Sequence, residues 1–230
     1  MGIENADTAN KRSKRYVHAA GWQALTRLYD PVLAMTMREQ RFRGAMKGRA
    51  GADLPSQGTA VDVGCGTGTF AIALAAERPD VHAIGVDGDA AILGLARQKR
   101  GAGPVEWRQG LAQDLPLADG VADVLTMSLL LHHLLTAEKR DALTEARRVL
   151  KPGGWLHIAD WGRPHDPLMS GAFFVAQAVD GFDRTRDHRA GRVPELIAEA
   201  GFGSVERYER LRTAFGSLDI WAATSAEEAG

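Results

Sequence analysis

Val61-Asp62-Val63-Gly64-Cys65-Gly66-Thr67-Gly68-Thr69-Phe70 is a short apolar run that breaks into glycines at every second position and then enters an Ala/Leu-rich stretch. That order predicts a strand, a tight turn and a helix. Glycine has no Cβ, so the backbone takes positive φ there and a ligand can lie directly against the peptide plane, near the N-terminus of the following helix. Nineteen residues after Gly68 comes Asp87, at the end of a second apolar run, Val81 to Val86. An acid at the tip of the neighbouring strand accepts hydrogen bonds from both hydroxyls of a ribose. The expected ligand therefore contains a nucleoside.

The glycine spacing narrows the choice. A dinucleotide fingerprint reads G-x-G-x-x-G, and its third glycine falls at position 69, which is Thr69. The chain instead reads Asp62-x-Gly64-x-Gly66-x-Gly68, which resembles the first motif of class I S-adenosylmethionine-dependent methyltransferases. More of that family's pattern follows in order. Val86-Asp87, with Gly88 beside it, is similar to the ribose-binding position, and Gln109-Gly110-Leu111-Ala112-Gln113-Asp114-Leu115-Pro116 to the adenine-side loop. Asp123 to Ser128 resembles the fourth strand, with Leu131-His132-His133-Leu134 after it, and Arg147 to Gly154 the turn before the fifth strand. The resemblance covers roughly residues 58 to 161 and, more loosely, the C-terminus.

This resemblance implies S-adenosyl-L-methionine as cofactor and S-adenosyl-L-homocysteine as product, with a methyl group passed to an oxygen or carbon of a small-molecule acceptor. It assigns the cofactor to Tyr29, Asp62, Gly64, Cys65, Gly66, Gly68, Asp87, Gly88, Leu111, Ala112, Gln113, Met127 and Ser128. One position departs from the pattern. Where the family commonly has an Asp that recognises the adenine amino group, this chain has Leu111, which passes that contact to the backbone of Ala112 and Gln113 or to the Gln113 side chain. Tyr29-Asp30 resembles the Tyr-Asp pair ahead of the first strand in quinone C-methyltransferases. The asparagine-rich element of those enzymes after the fourth strand is absent, so the resemblance stops short of a quinone substrate.

A chain of 230 residues holds one α/β domain with a full core and some appended elements. The net charge of −1 provides no global basic field, which excludes nucleic acid as the expected partner; Lys11-Arg12-Ser13-Lys14-Arg15 reads as a solvated helix start. Cys65 is the one cysteine, so neither an internal disulfide nor a cysteine-based zinc site is expected, and no metal is called for. No apolar run reaches the ~18 to 20 residues of a membrane span, and residues 1–15 lack a signal-peptide core. These readings predict a cytoplasmic monomer or homodimer.

The fold expected is α/β: a Rossmann-like, doubly wound sheet, mostly parallel with an antiparallel last strand, plus N-terminal helices and a helical insertion acting as a lid. Strands are predicted near 59–64, 81–86, 104–108, 122–127 and 155–160, and helices near 67–77, 89–99, 136–150 and 193–201. The runs 204–213 and 215–224 leave no room for a crossover and should form a hairpin. Residues 1–50 form a helical cap with a break at Asp30-Pro31, Gly48 to Gly58 a linker, and 58–230 the methyltransferase domain, with a substrate-side insertion at 162–192. Asp166-Pro167 supplies an N-cap and a proline at N1 for a helix within that insertion.

Methyl transfer from a sulfonium is an in-line displacement, so the protein must hold donor and acceptor at attack distance and exclude water. A base matters only when the acceptor loses a proton. His133, just past the fourth strand, is the candidate for that role; an ordinary histidine titrates near ~6.5. His132, Asp160, Trp161 and His165 are substrate-side candidates by position, as are Asp180, Asp183 and His188 further along. Adjacent histidines on a helix point apart by ~100°, which argues against their sharing a metal. Trp107 reads as a core residue. Two other functions compete: an NAD-dependent dehydrogenase, and a non-catalytic subunit that binds S-adenosylmethionine for stability or sensing.

Overall fold

A computed structural model of the chain describes residues 38–226. Tyr29, the Asp30-Pro31 break and most of the expected N-terminal cap lie outside the described residues. The described chain begins with α1 (Glu39–Asp53), followed by β1 (Thr59–Val63), α2 (Thr69–Glu77), β2 (His82–Asp87), α3 (Ala90–Gln98), β3 (Val105–Gln109) and β4 (Ala122–Ser128). A 3-10 turn (Leu131–His133) leads into α4 (Thr136–Val149) and β5 (Leu150–Trp161). Then come α5 (Pro167–Asp180), α6 (Phe182–Ala190), α7 (Val193–Glu199), β6 (Phe202–Thr213) and β7 (Gly216–Ser225).

The strands form one seven-stranded sheet in the order β3-β2-β1-β4-β5-β7-β6. Strands β1 to β5 pair in parallel, while β7 runs antiparallel to both β5 and β6. This is the Rossmann-like, doubly wound sheet with a reversed last strand that the alternation of strand and helix patterns predicts. The order reverses at β1, which has β2 on one side and β4 on the other. A crevice therefore opens beyond the carboxyl ends of β1 and β4, where ligands bind in such sheets.

Successive side chains on a strand point to opposite faces, so each central strand feeds two apolar layers. Val61, Val63, Ile84, Val86, Leu125 and Met127 pack on one face against Leu143 and Ala146 of α4 and Leu196 and Ile197 of α7. On the other face, Ala60, Val124 and Ala159 meet Phe42 and Met46 of α1, Phe70 and Leu74 of α2, and Phe173 of α5.

Three expectations change. The Gly48–Gly58 stretch is not a linker throughout, because α1 runs on to Asp53. Ala50 is fully buried in the apolar layer, and that burial outweighs the poor helix propensity of Gly48 and Gly51. Strand β5 starts at Leu150 rather than 155, reached through a register shift opposite Ala122 and Val124. The insertion holds two helices: Asp166 caps α5 by accepting from Met169 N at 2.8 Å, and Gly181 (φ 96°) turns the chain into α6.

Candidate functional site

The three glycines of the turn do different things. A Cβ on Gly64 would lie 2.8 Å from the Leu130 side chain, and one on Gly68 would lie 2.2 Å from the Trp107 ring. Those two positions are closed by packing. At Gly66, φ is 54° and a Cβ would meet nothing within 4 Å. It is the one glycine of the three that faces open space at the crevice.

Asp87 ends β2 beside it. Its carboxylate accepts from Gly66 N and from Asp89 N, each at 2.9 Å. A carboxylate has about four lone-pair sites, so two remain for a diol. Beneath the turn, Asp62 is buried at 3% exposure and accepts from Thr126 Oγ1 at 2.8 Å, while its Oδ2 has no partner. Burial pushes the Asp62 carboxyl up to about 7, against the pull of Thr126 and Arg43. Cys65 packs under the turn with its thiol raised by burial, so its backbone, not its sulfur, belongs to the loop.

Beyond Asp87 lies a cavity of about 730 Å³ lined by Gly88, Asp89, Ala90, Gln109, Gly110, Leu111, Asp114 and Pro116. Of the residues that the motif reading assigns around this loop, Leu111 and Gly88 line the cavity, whereas Ala112 and Gln113 do not. The chain turns back at Leu111, whose carbonyl accepts from Asp114 N at 3.0 Å, and this brings Asp114 to the cavity wall. The motif reading missed Asp114 as a site residue because the acid sits three positions late. Met127 is fully buried in the core and offers only its backbone; Ser128, half-buried, ends β4. Trp107 is the packed residue the sequence indicates, closed over Gly68 and Gly85.

At the end of β4 the backbone kinks through Leu129, a non-glycine residue at φ 52°, into the 3-10 turn that carries both histidines. Asp160 of β5 organises that turn. Its Oδ2 accepts from Leu131 N at 2.8 Å, and its Oδ1 pairs with His132 Nδ1 at 2.8 Å and accepts from Trp161 N at 2.7 Å. Burial alone would depress the His132 pKa, yet Asp160 and then Asp180 outweigh it and raise it. The same partners hold Asp160 well below the usual carboxylate range despite its burial. His132 is thus a packed, positioned residue, with Asp180 Oδ2 3.9 Å from its free Nε2.

His133 is exposed, and its ring centroid stands 4.0 Å from that of His132. The charge on His132 lowers the His133 pKa below the ordinary histidine value. The helix argument that neighbouring histidines diverge does not hold here, because the pair occupies one tight 3-10 turn. One ligand-capable atom each from His132, His133 and Asp180 falls within 4.8 Å of the others, so these three could hold a cation. His188 is fully buried behind Asp160, at 3.5 Å, and burial lowers its pKa to about 4. Trp161 packs edge-on against Phe173, and Asp183 is exposed on α6. His165 is not part of this cluster: its Nδ1 lies 2.7 Å from Ser217 Oγ, and it lines a separate cavity.

Residues 61–158 match a family described as a methyltransferase domain. The chain is similar to a demethylmenaquinone methyltransferase of Lactiplantibacillus plantarum, 36% identical over 143 residues, covering 59% of this chain and 60% of that protein. It is also similar to an uncharacterized methyltransferase of Synechocystis, 35% identical, covering 70% of this chain and 72% of that one. The chain thus spans three-fifths of the first relative's length. Among solved structures, the YcgJ protein of Bacillus subtilis has a similar fold, with a TM-score of 0.64 at 18% identity over 82% of this chain and 99% of that one.

Proposed function

Because the chain belongs to the class I S-adenosylmethionine-dependent methyltransferases, we propose that it is a cytoplasmic enzyme that moves a methyl group from S-adenosylmethionine to an oxygen or carbon of a small-molecule acceptor. The observation that carries this reading is the pairing of Asp87 with Gly66: a carboxylate with two free acceptor sites beside a backbone with open space before it. Family membership removes the dehydrogenase alternative. Incubation with methyl-tritiated S-adenosylmethionine and a panel of phenols, catechols and activated carbon acids tests the reading. Tight S-adenosylhomocysteine binding with no transfer to any of them would favour the non-catalytic subunit instead.

Each residue then has a task. The ribose diol goes to Asp87 and the base to the cavity bounded by Gly88, Leu111 and Pro116. Asp114 takes the place of the acid missing at 111 as acceptor for an exocyclic amino group. Asp62, with its unpartnered Oδ2, suits a cationic group resting on the turn. The cofactor supplies a methyl group on a sulfonium. His133 faces the acceptor and accepts its proton: Asp160 and Asp180 raise the His132 pKa, and His132 in turn lowers that of His133, which favours its neutral form.

Asp87→Ala should weaken S-adenosylhomocysteine binding about a hundredfold. It removes two charge-assisted hydrogen bonds, each contributing roughly 1.5 to 3 kcal/mol. Calorimetric titration reads the change, and a loss of less than a few-fold would take Asp87 out of the site.

The lid assignment of 162–192 draws support from Leu168, Phe174, Val175, Val179 and Phe182, which leave a large apolar surface exposed on α5 and at the start of α6. Cofactor and acceptor together should bury part of it. Hydrogen exchange should show α5 and α6 slowing when both ligands are bound while the central strands stay as they were; equal exchange with and without ligands counts against a lid.

A further inference from the structure

A second cavity, of about 490 Å³, opens near the sheet edge opposite β3 and shares no lining residue with the first. Its walls include Arg163, His165, Arg207, Arg210, Asp219 and Trp221. Three guanidinium groups therefore converge on one concavity in a chain whose net charge is −1.

Their existing partners do not balance them. Asp219 is 1% exposed and is gripped by the Arg210 fork, with Nε and Nη2 each at 2.6 Å from one of its oxygens. Arg207 reaches the same carboxylate only at 3.5 Å and keeps 46% of its side chain exposed. Arg163 has no hydrogen bond or ion pair among the described residues, and Glu195 on the rim lies 3.4 Å from Arg192. One buried carboxylate thus serves one arginine fully, another at long range and the third not at all. Guanidinium forks of this kind match carboxylate and phosphate oxygens two at a time, and the volume suits a small molecule.

The cavity also lies close to the histidine turn. Asp219 on β7 is the register partner of Asp160 on β5, and such partners sit ~5 Å apart on the same face of the sheet. Asp160 in turn holds His132. We propose that this cavity is an anion site, distinct from the cofactor crevice, in which Arg163 and Arg207 bind the carboxylate or phosphate group of a small molecule.

The indole signal of Trp221, followed by NMR, is the reporter, and inorganic phosphate and 4-hydroxybenzoate are the probes. A saturable shift with either is expected, weakened about tenfold for each arginine lost in Arg163→Gln and Arg207→Gln. Both side chains are exposed, so the variants should melt like the parent. No saturable shift with either probe, or undiminished affinity in the double variant, overturns the proposal. The source of the anion is read by repeating the titrations with saturating S-adenosylhomocysteine, an arm that rests on the methyltransferase reading. Tighter 4-hydroxybenzoate binding alone marks the anionic end of the acceptor, whereas unchanged affinity for both marks a free anion. Anion binding in a protein that does not bind S-adenosylhomocysteine would defeat the proposed function and leave the anion site standing.

Discussion

His133→Ala should lower the maximal rate by ~10² to 10⁴, the usual contribution of a positioned base, with little change in S-adenosylhomocysteine affinity. The pH profile carries the more discriminating information. An isolated histidine would give an acid limb near ~6.5, but the charge on neighbouring His132 lowers the His133 pKa. As the proposed base, His133 would be competent only when neutral, so the wild-type rate should hold as pH falls through ~6.5 and drop only at lower pH. His132→Gln removes the imidazole that lowers the His133 pKa and should move the limb back up towards the ordinary value. The Ala variant should lose the limb altogether. A folded Ala variant with an unchanged rate would leave catalysis to proximity and make the turn a packing element.

Gly66→Val should abolish cofactor binding while the sheet persists. The new side chain starts into open space, with nothing within 4 Å of its Cβ, so the packed core is not forced apart as it would be at Gly64. A β-branched residue at φ 54° is nevertheless strained by ~1 to 3 kcal/mol. That should lower the melting temperature by roughly 2 to 12 °C. Gly64→Val is the contrasting case, because its Cβ would meet Leu130 at 2.8 Å and the core must shift. A Gly66→Val protein that unfolds outright, or that binds S-adenosylhomocysteine as the parent does, would show that Gly66 only permits the turn.

The parts of this fold set by local chemistry were readable along the chain. The glycines between Val63 and Thr69 predict the turn because few other residues tolerate the backbone it needs. Asp166-Pro167 announces the start of α5 because a side-chain oxygen caps the first free amides and proline needs no amide of its own. The absence of a crossover between residues 213 and 216 dictates the antiparallel β6–β7 hairpin. The acid at Asp87 belongs with these, since its place at a strand tip follows from the length of the strand.

The rest depended on groups far apart in sequence. Which of Gly64, Gly66 and Gly68 faces open space was decided by Leu130 and Trp107, two side chains that no motif links to the turn. Asp114 reached the cavity wall because the loop folds back on Leu111. The difference between His132 and His133 came from Asp160, 28 residues from His132, which pairs with one ring and raises its pKa, while that ring lowers the pKa of the other. The arginine cavity joins β6, the end of β5 and the α6–α7 connection, and no periodicity in those segments signals it. Sequence determined the class of fold, the glycine turn and the family, because each rests on residues close together along the chain. Tertiary structure alone decided which side chains are spent on packing and which remain free for a ligand, because burial and charge pairing are properties of contacts made across the sheet.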